Sequence, residues 1–287
     1  MQVDDRDPAT AIAALEDAAR IVRTPCGTGE MTWRIWGEPQ DKRRAVILFH
    51  GGSGSWNHWF KTIPTLRRHY EVIAADLPGL GDSALPAEPH NPTTIAAAVI
   101  EGMKATILSG RARPHLVGFS FGGHIAGLTA QALGDALKDL TLVGVAALGL
   151  PHREGRPLAR YRSTMTPAEI TEVDRHNLAT LMLSDPASAD ALALQLHSAN
   201  LRKARFRSAP FAPGDELKRA LANVHLPLKT IWGKKDVIAQ PNLETRLAVL
   251  GEHHPELQAR LIDDAGHWVM YEQAEAFNAA LLELLAL

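Results

Sequence analysis

The chain predicts an α/β fold, with a mostly parallel, doubly wound central sheet and a helical cap. Three observations predict it. Apolar runs at Ala45–Phe49, Glu71–Ala75, Leu116–Val117 and Leu140–Ala147 are bounded by Gly, Pro, Asp or His, the pattern of strands buried on both faces. Helical periodicity fills the stretches between them, as parallel crossovers require. The alternation stops after Leu150 and resumes at Leu226, with no buried-strand pattern in between.

Bulk properties suit a globular protein with a sizeable core. The 287 residues are 46% hydrophobic and 22% charged, enough for one large α/β domain or about two average ones. A net charge of −2 without a basic run argues against nucleic acid or an anionic membrane as partner. The single cysteine, Cys26, has no internal partner for a disulfide, which fits a reducing compartment. Met1–Asp7 is acidic where a secretory signal would be basic, and no apolar run is long enough to span a bilayer. The cytoplasm is therefore the expected compartment, and a small molecule the expected partner.

Ile12, Leu15, Ala19 and Val22 recur at helical spacing, which predicts an amphipathic helix from Pro8 to Val22 capped by Asp7. Residues 1–28 thus read as an N-terminal helical extension. Met31–Gly37 alternates and is rich in β-formers, so a strand and hairpin are expected, with a polar turn over Glu38–Arg44. Ala45–Phe49 runs into His50-Gly51-Gly52-Ser53-Gly54-Ser55, whose glycines let backbone NH groups approach a ligand. No G-K-S/T ending or G-x-G-x-x-G spacing makes it a nucleotide loop. His50 is expected to brace this loop rather than to take part in chemistry.

Trp59–His69 reads as a helix broken near Pro64, and Glu71–Ala75 as a strand. Asp76-Leu77-Pro78-Gly79-Leu80-Gly81-Asp82-Ser83 follows, where the Asp76 carboxylate is expected to pin a tight turn through backbone NH groups. Thr93–Leu108 is a further helix. Residues 29–150 and 214–287 then form the core unit, and 151–213 the helical cap, with helices at Pro167–Leu183 and Pro186–Leu201. The core resumes at Leu226–Gly233, continues through a helix at Asn242–Leu250 and a strand at Leu257–Ile262, and closes on a helix from Glu272 to Leu285. No internal repeat is present.

Chemistry concentrates at three strand ends. Gly118-Phe119-Ser120-Phe121-Gly122 is a G-x-S-x-G placed between a strand and a helix, where a serine sits on a strained turn with its oxygen exposed. The NH groups opening that helix point at the same spot and suit an oxyanion. A serine needs a base, and the base needs an orienting group. Asp236 and His267 each follow a predicted strand, so the topology brings them to the same crevice as Ser120. Asp236 could instead cap the next helix, with Asp263 or Asp264 serving His267. No H-E-x-x-H or Cys–His pairing points to a metal, and no cofactor is expected.

Taken in order, these motifs resemble the α/β-hydrolase superfamily. His50-Gly51-Gly52 resembles its oxyanion loop, Asp76–Ser83 the turn after the next strand, Gly118–Gly123 the nucleophile elbow, Trp232–Asp236 the acid turn and Ala265–Trp268 the histidine turn. The resemblance covers roughly Met31 to the C-terminus. It implies a serine hydrolase in which Ser120 is the nucleophile, His267 the general base and acid, and Asp236 the orienting carboxylate. The NH groups of Phe121 and Gly52 would form the oxyanion hole. Serine in place of aspartate at position 120 disfavours the dehalogenase and epoxide hydrolase branches.

Cleavage of a small carboxylic ester is the first expectation. Trp268 and the closing helix resemble the branch that cleaves carbon–carbon bonds in ring-cleavage diketones, although Phe119 stands where that branch has Asn. C–C or amide cleavage is therefore the second expectation, and a ligand receptor of the same fold the third. Arg153, Arg156, Arg160, Arg162 and Arg175 in the cap would suit an acidic substrate if one pointed inward, but solvation is the expectation for most of them.

Overall fold

The computed structural model describes residues 7–37, 44–151 and 157–287. In chain order the elements are α1 (Pro8–Asp17), β1 (Arg20–Cys26), β2 (Gly29–Trp36), β3 (Ala45–Phe49), α2 (Ile63–Leu66), β4 (Glu71–Ala75), α3 (Pro92–Gly102), β5 (His115–Phe119), α4 (Phe121–Leu133) and β6 (Asp139–Val143). Then come α5 (Pro167–Leu181), α6 (Ala191–Lys203), α7 (Glu216–Leu221), β7 (Leu228–Gly233), α8 (Leu243–Gly251), β8 (Gln258–Ile262), α9 (Val269–Glu272) and α10 (Ala274–Ala286). One eight-stranded sheet has the order β1-β2-β4-β3-β5-β6-β7-β8. Strands β3 to β8 are mutually parallel, while β2 runs antiparallel to both β1 and β4.

Alternation along each strand sends side chains to two cores. Ile47, Phe49, Ile73 and Leu116 face the layer that holds α3, α4 and α7. Val46, Leu48, Val72 and Val117 face the layer that holds α2, α9 and α10. Both faces are covered, so β3 to β7 are buried at every position and are mostly apolar. Strand β3 lies between β4 and β5, so its crossovers leave in opposite directions and open a crevice at the carboxyl ends of β3 and β5.

Several expected elements change. The N-terminal helix ends at Asp17 instead of Val22, and Arg20–Cys26 is an edge strand of the sheet, so residues 1–28 are not a purely helical extension. Val22 falls in helical phase with Leu15 but pairs with Trp33 across a hairpin turned at Gly27-Thr28. The expected hairpin therefore joins β1 and β2; residues 38–43 lie outside the described residues. The strand read as Leu140–Ala147 stops at Val143, because Gly144 takes φ +55° and turns the chain out of the sheet. Helix α3 passes into a π-helical turn at Met103–Ile107, and α7 had no sequence signal long enough to register.

Two buried charge clusters pin the layers. Arg34 on β2 reaches Asp76 at 2.7 Å, Asp82 at 2.5 Å and Glu16 of α1 at 2.5 Å. The three carboxylates hold the guanidinium charge, and α1 is thereby tied to the sheet. At the opposite, amino end of the strands, Asp139 Oδ2 accepts from Lys229 Nζ at 2.8 Å and lies 2.8 Å from His115 Nδ1. Among the described residues, no helix is long and apolar enough to cross a membrane.

Candidate active site

Ser120, Asp236 and His267 converge at the carboxyl ends of β5, β7 and β8. His267 Nδ1 donates to Asp236 Oδ2 at 2.8 Å, which leaves Nε2 to accept from Ser120 Oγ at 2.9 Å. Asp236 and His267 are buried, while Ser120 is partly open. The second oxygen of Asp236 accepts from the NH groups of Ile238, at 2.8 Å, and Ala239, at 3.3 Å. One carboxylate thus caps the following turn and faces the imidazole. Asp263 and Asp264 instead pair with Lys234 and Lys235 on the exposed side of the turn.

Local chemistry explains the turn at Ser120. Its φ of 52° and ψ of −117° are sparsely populated for a residue with a Cβ, and its own NH is held by Val143 O at 2.8 Å. At Gly118 a Cβ would stand 2.5 Å from Gly122 O and 2.6 Å from Gly123 Cα, so only glycine lets β5 and α4 meet this closely. Phe121 begins α4, and its NH has no helical acceptor. The NH of Gly52 likewise has no partner among the described residues. Gly51 lies against Ser120 and Gly52 against Phe121, so the loop after β3 faces the elbow across the crevice.

Neutral imidazoles brace that loop. His50 Nε2 accepts from Leu77 NH at 2.9 Å while its Nδ1 lies 2.8 Å from Gly51 O, as expected of a residue that braces the loop. His58, missed in the sequence, accepts from Gly51 NH through Nδ1 at 3.2 Å. Burial, then the neighbouring His50, His197 and His267, holds His58 well below 6.5, so it stays neutral and able to accept. Asp76 accepts from Asp82 NH at 3.0 Å, within the turn it was expected to pin, and also from Trp56 NH at 2.8 Å, in the loop after β3.

Other supports carry no sequence signal. Glu272 accepts from Gly266 NH at 2.6 Å and from the NH groups of Ser184 and Asp185, each at 2.8 Å. Trp268 NH donates to Met182 O at 2.7 Å. The end of α5 is therefore stapled to both flanks of His267. Asn200 on α6 accepts from Ser55 Oγ at 2.8 Å and donates to Asn57 at 2.7 Å, joining α6 to the loop after β3. Of the arginines in the expected cap, Arg160, Arg162 and Arg175 are exposed, and Arg175 donates to Ala189 O at 2.7 Å. Arg153 and Arg156 lie outside the described residues.

Gly144 presses on the imidazole–carboxylate pair. A Cβ there would stand 3.2 Å from Asp236 Oδ2 and 3.3 Å from the His267 ring, at a φ of +55°. Gly144→Ala is expected to displace the pair and lower kcat about 10- to 100-fold, the scale of a misplacement near 1 Å. Steady-state kinetics beside a thermal melt checks this; an unchanged kcat in a folded variant rejects it.

With the proton on Nδ1, His267 Nε2 can take a proton from the hydroxyl of Ser120. No group of three or more His, Cys, Asp or Glu among the described residues is placed to hold a metal ion. The fold is similar to that of naproxen esterase from Bacillus subtilis, with a TM-score of 0.75 at 16% identity, covering 97% of this chain and 96% of that one. A 2-hydroxy-6-oxo-6-phenylhexa-2,4-dienoate hydrolase of Burkholderia cepacia is 25% identical over 273 residues, 90% of this chain and 93% of that protein. The dihydrolipoyllysine-residue acetyltransferase component of the acetoin cleaving system of Pseudomonas putida is 28% identical over 250 residues. That match takes in 84% of this chain but only 63% of the larger protein. The model of the alpha/beta hydrolase family matches residues 46–280, and the chain belongs to that family of enzymes.

Proposed function

We propose that this hydrolase cleaves a small carboxylic ester through an acyl-enzyme intermediate on Ser120. The observation that carries the reading is the continuous hydrogen-bonded relay from Ser120 Oγ through His267 to Asp236. His267 Nε2 takes the hydroxyl proton as Ser120 Oγ attacks the carbonyl carbon, and Asp236 stabilises the imidazolium that forms. The oxyanion rests on the NH groups of Phe121 and Gly52. His267 returns the proton to the leaving alkoxide, then takes one from a water that attacks the acyl carbon and passes it to Ser120 Oγ as the acid leaves. Residues 151–213 act as the cap that shapes the acyl pocket.

Carbon–carbon cleavage is the second reading, favoured by the likeness to the dienoate hydrolase of Burkholderia cepacia. A dienoate carries a carboxylate that calls for a facing cation. Among the described residues, Arg160, Arg162 and Arg175 are exposed to solvent, which supports the uncharged ester instead. Hydrolysis of p-nitrophenyl acetate, butyrate and octanoate is compared with that of a 2-hydroxy-6-oxo-dienoate by kcat/KM. The short esters are expected to exceed the dienoate by about 100-fold or more, a margin of roughly 3 kcal/mol in transition-state binding. A dienoate preference overturns the ester assignment and leaves the serine relay intact.

A further inference from the structure

Residues Arg205 to Ala212 form a strap across the carboxyl ends of four adjacent strands. On one side the NH groups of Arg205 and Phe206 donate to Gly79 O, after β4, at 2.8 and 3.1 Å, and the Arg205 guanidinium bonds Ser83 O. On the other side Ala147 NH, after β6, donates to Ala212 O at 2.9 Å. Between these anchors the Phe206 ring lies 5.4 Å from Phe121 and stacks on Phe211 at 5.8 Å. The middle of the strap therefore passes over the ends of β3 and β5, where Gly52 and Phe121 stand.

Ser208 occupies that middle position. A Cβ added to Gly52 would collide with Ser208 Oγ and lie 3.2 Å from Ser208 Cβ and 3.8 Å from Phe121 Cβ. The hydroxyl thus touches Gly52 on the side that approaches Phe121. Ser208 also precedes the short 3₁₀ turn Ala209–Phe211, a position where a serine hydroxyl commonly accepts a backbone NH. Here it makes no capping bond, and Ser208 Oγ has no other hydrogen bond among the described residues. A hydroxyl withheld from the cap and set against Gly52, on the side where Phe121 approaches, is suited to donate to a substrate oxygen held there.

We propose that Ser208 Oγ is a third hydrogen-bond donor to the oxyanion held by Gly52 and Phe121. The inference rests on the acyl-enzyme reading of Ser120. Because the donor arrives on the strap rather than on the sheet, the hole is complete only when the strap is seated.

The test is steady-state hydrolysis of p-nitrophenyl acetate by the full chain and its Ser208→Ala, Ser208→Thr and Ser120→Ala variants, with inhibition by ethylboronic acid as the tetrahedral probe. Ser208→Ala is expected to lower kcat about 10- to 100-fold with KM within about twofold, and to weaken boronic acid binding by the same factor. Ser208→Thr keeps the hydroxyl and retains most of the rate. An unchanged kcat in Ser208→Ala overturns the proposal. So does a loss of kcat with unchanged boronic acid affinity, or a threonine variant as slow as alanine, since both assign Ser208 a packing role. If Ser120→Ala keeps full turnover, the nucleophile assignment fails and takes this one with it. If Ser120→Ala is dead while Ser208→Ala is unimpaired, only Ser208 is wrong.

Discussion

Ser120→Ala is expected to lower kcat on short esters by about 10⁴- to 10⁶-fold, because removing a nucleophile disables the whole relay rather than one part of it. The oxyanion donors and the binding crevice would remain, so a small residual rate over water is expected. A paired variant separates chemistry from folding. Ser120 holds φ at 52°, and alanine inherits that strain because it keeps the Cβ. Ser120→Ala should therefore melt close to the parent. Ser120→Gly relieves strain of about 1–3 kcal/mol and gives back about 0.5–1 in unfolded-chain entropy. It should be equally inactive yet raise Tm by roughly 2 °C. Calorimetry on the three proteins beside ester hydrolysis decides the matter. Turnover surviving in either variant would remove Ser120 from the mechanism, and a lower Tm for the glycine variant would remove the strain.

Asp139→Asn should cost about 3–5 kcal/mol of stability without touching the crevice. His115, Asp139 and Lys229 are all buried at the amino ends of β5, β6 and β7, at the opposite end of the strands from Ser120. Losing the carboxylate charge leaves the buried Lys229 ammonium facing an uncharged amide and Leu284 O, at 2.5 Å, with no counter-charge at Asp139. Replacing the whole cluster by His115→Phe, Asp139→Leu and Lys229→Met removes the charges together and should recover most of the loss. Chemical denaturation of the two proteins tests this. Equal midpoints for parent and Asp139→Asn would show that the pair contributes nothing.

The same carboxylate predicts an acid limit. Burial pushes the Asp139 carboxyl up, but the bonds from His115 and Lys229 outweigh it and hold it below 3.8. A depressed native value means that the stabilisation is fully present above the unfolded value. It is lost as pH falls from about 4 through the native value. Denaturation midpoints should thus decline below about pH 4 more steeply in the parent than in the triple variant.

The parallel sheet and the reactive turns are legible in local residue patterns. Strands β3, β4, β5, β6 and β7 are buried on both faces, so apolar residues dominate them and the charged ones, Glu71, His115, Asp139 and Lys229, sit at their amino ends. Gly118-Phe119-Ser120-Phe121-Gly122 was legible because the steric demands of a strand-to-helix elbow are local, within a few residues. Strand β1 was not legible. It lies at the sheet edge with most side chains exposed, so it carries no such run, and Val22 happened to continue the helical phase of Leu15. Local pattern also left the acid partner of His267 among Asp236, Asp263 and Asp264, all at turns after strands.

Which side chains meet depends on the packed layers. Packing set Asp236 against His267 across 31 residues of chain, and turned Asp263 and Asp264 outward to lysines. It also joined Glu272 to Ser184 across 88 residues, Asn200 to Ser55 across 145, and Ser208 to Gly52. None of these partnerships leaves a periodic trace, because a polar side chain that reaches a distant backbone group imposes no spacing on its own neighbours. Periodicity reports the face an element buries; the partner on that face is chosen by how the layers pack.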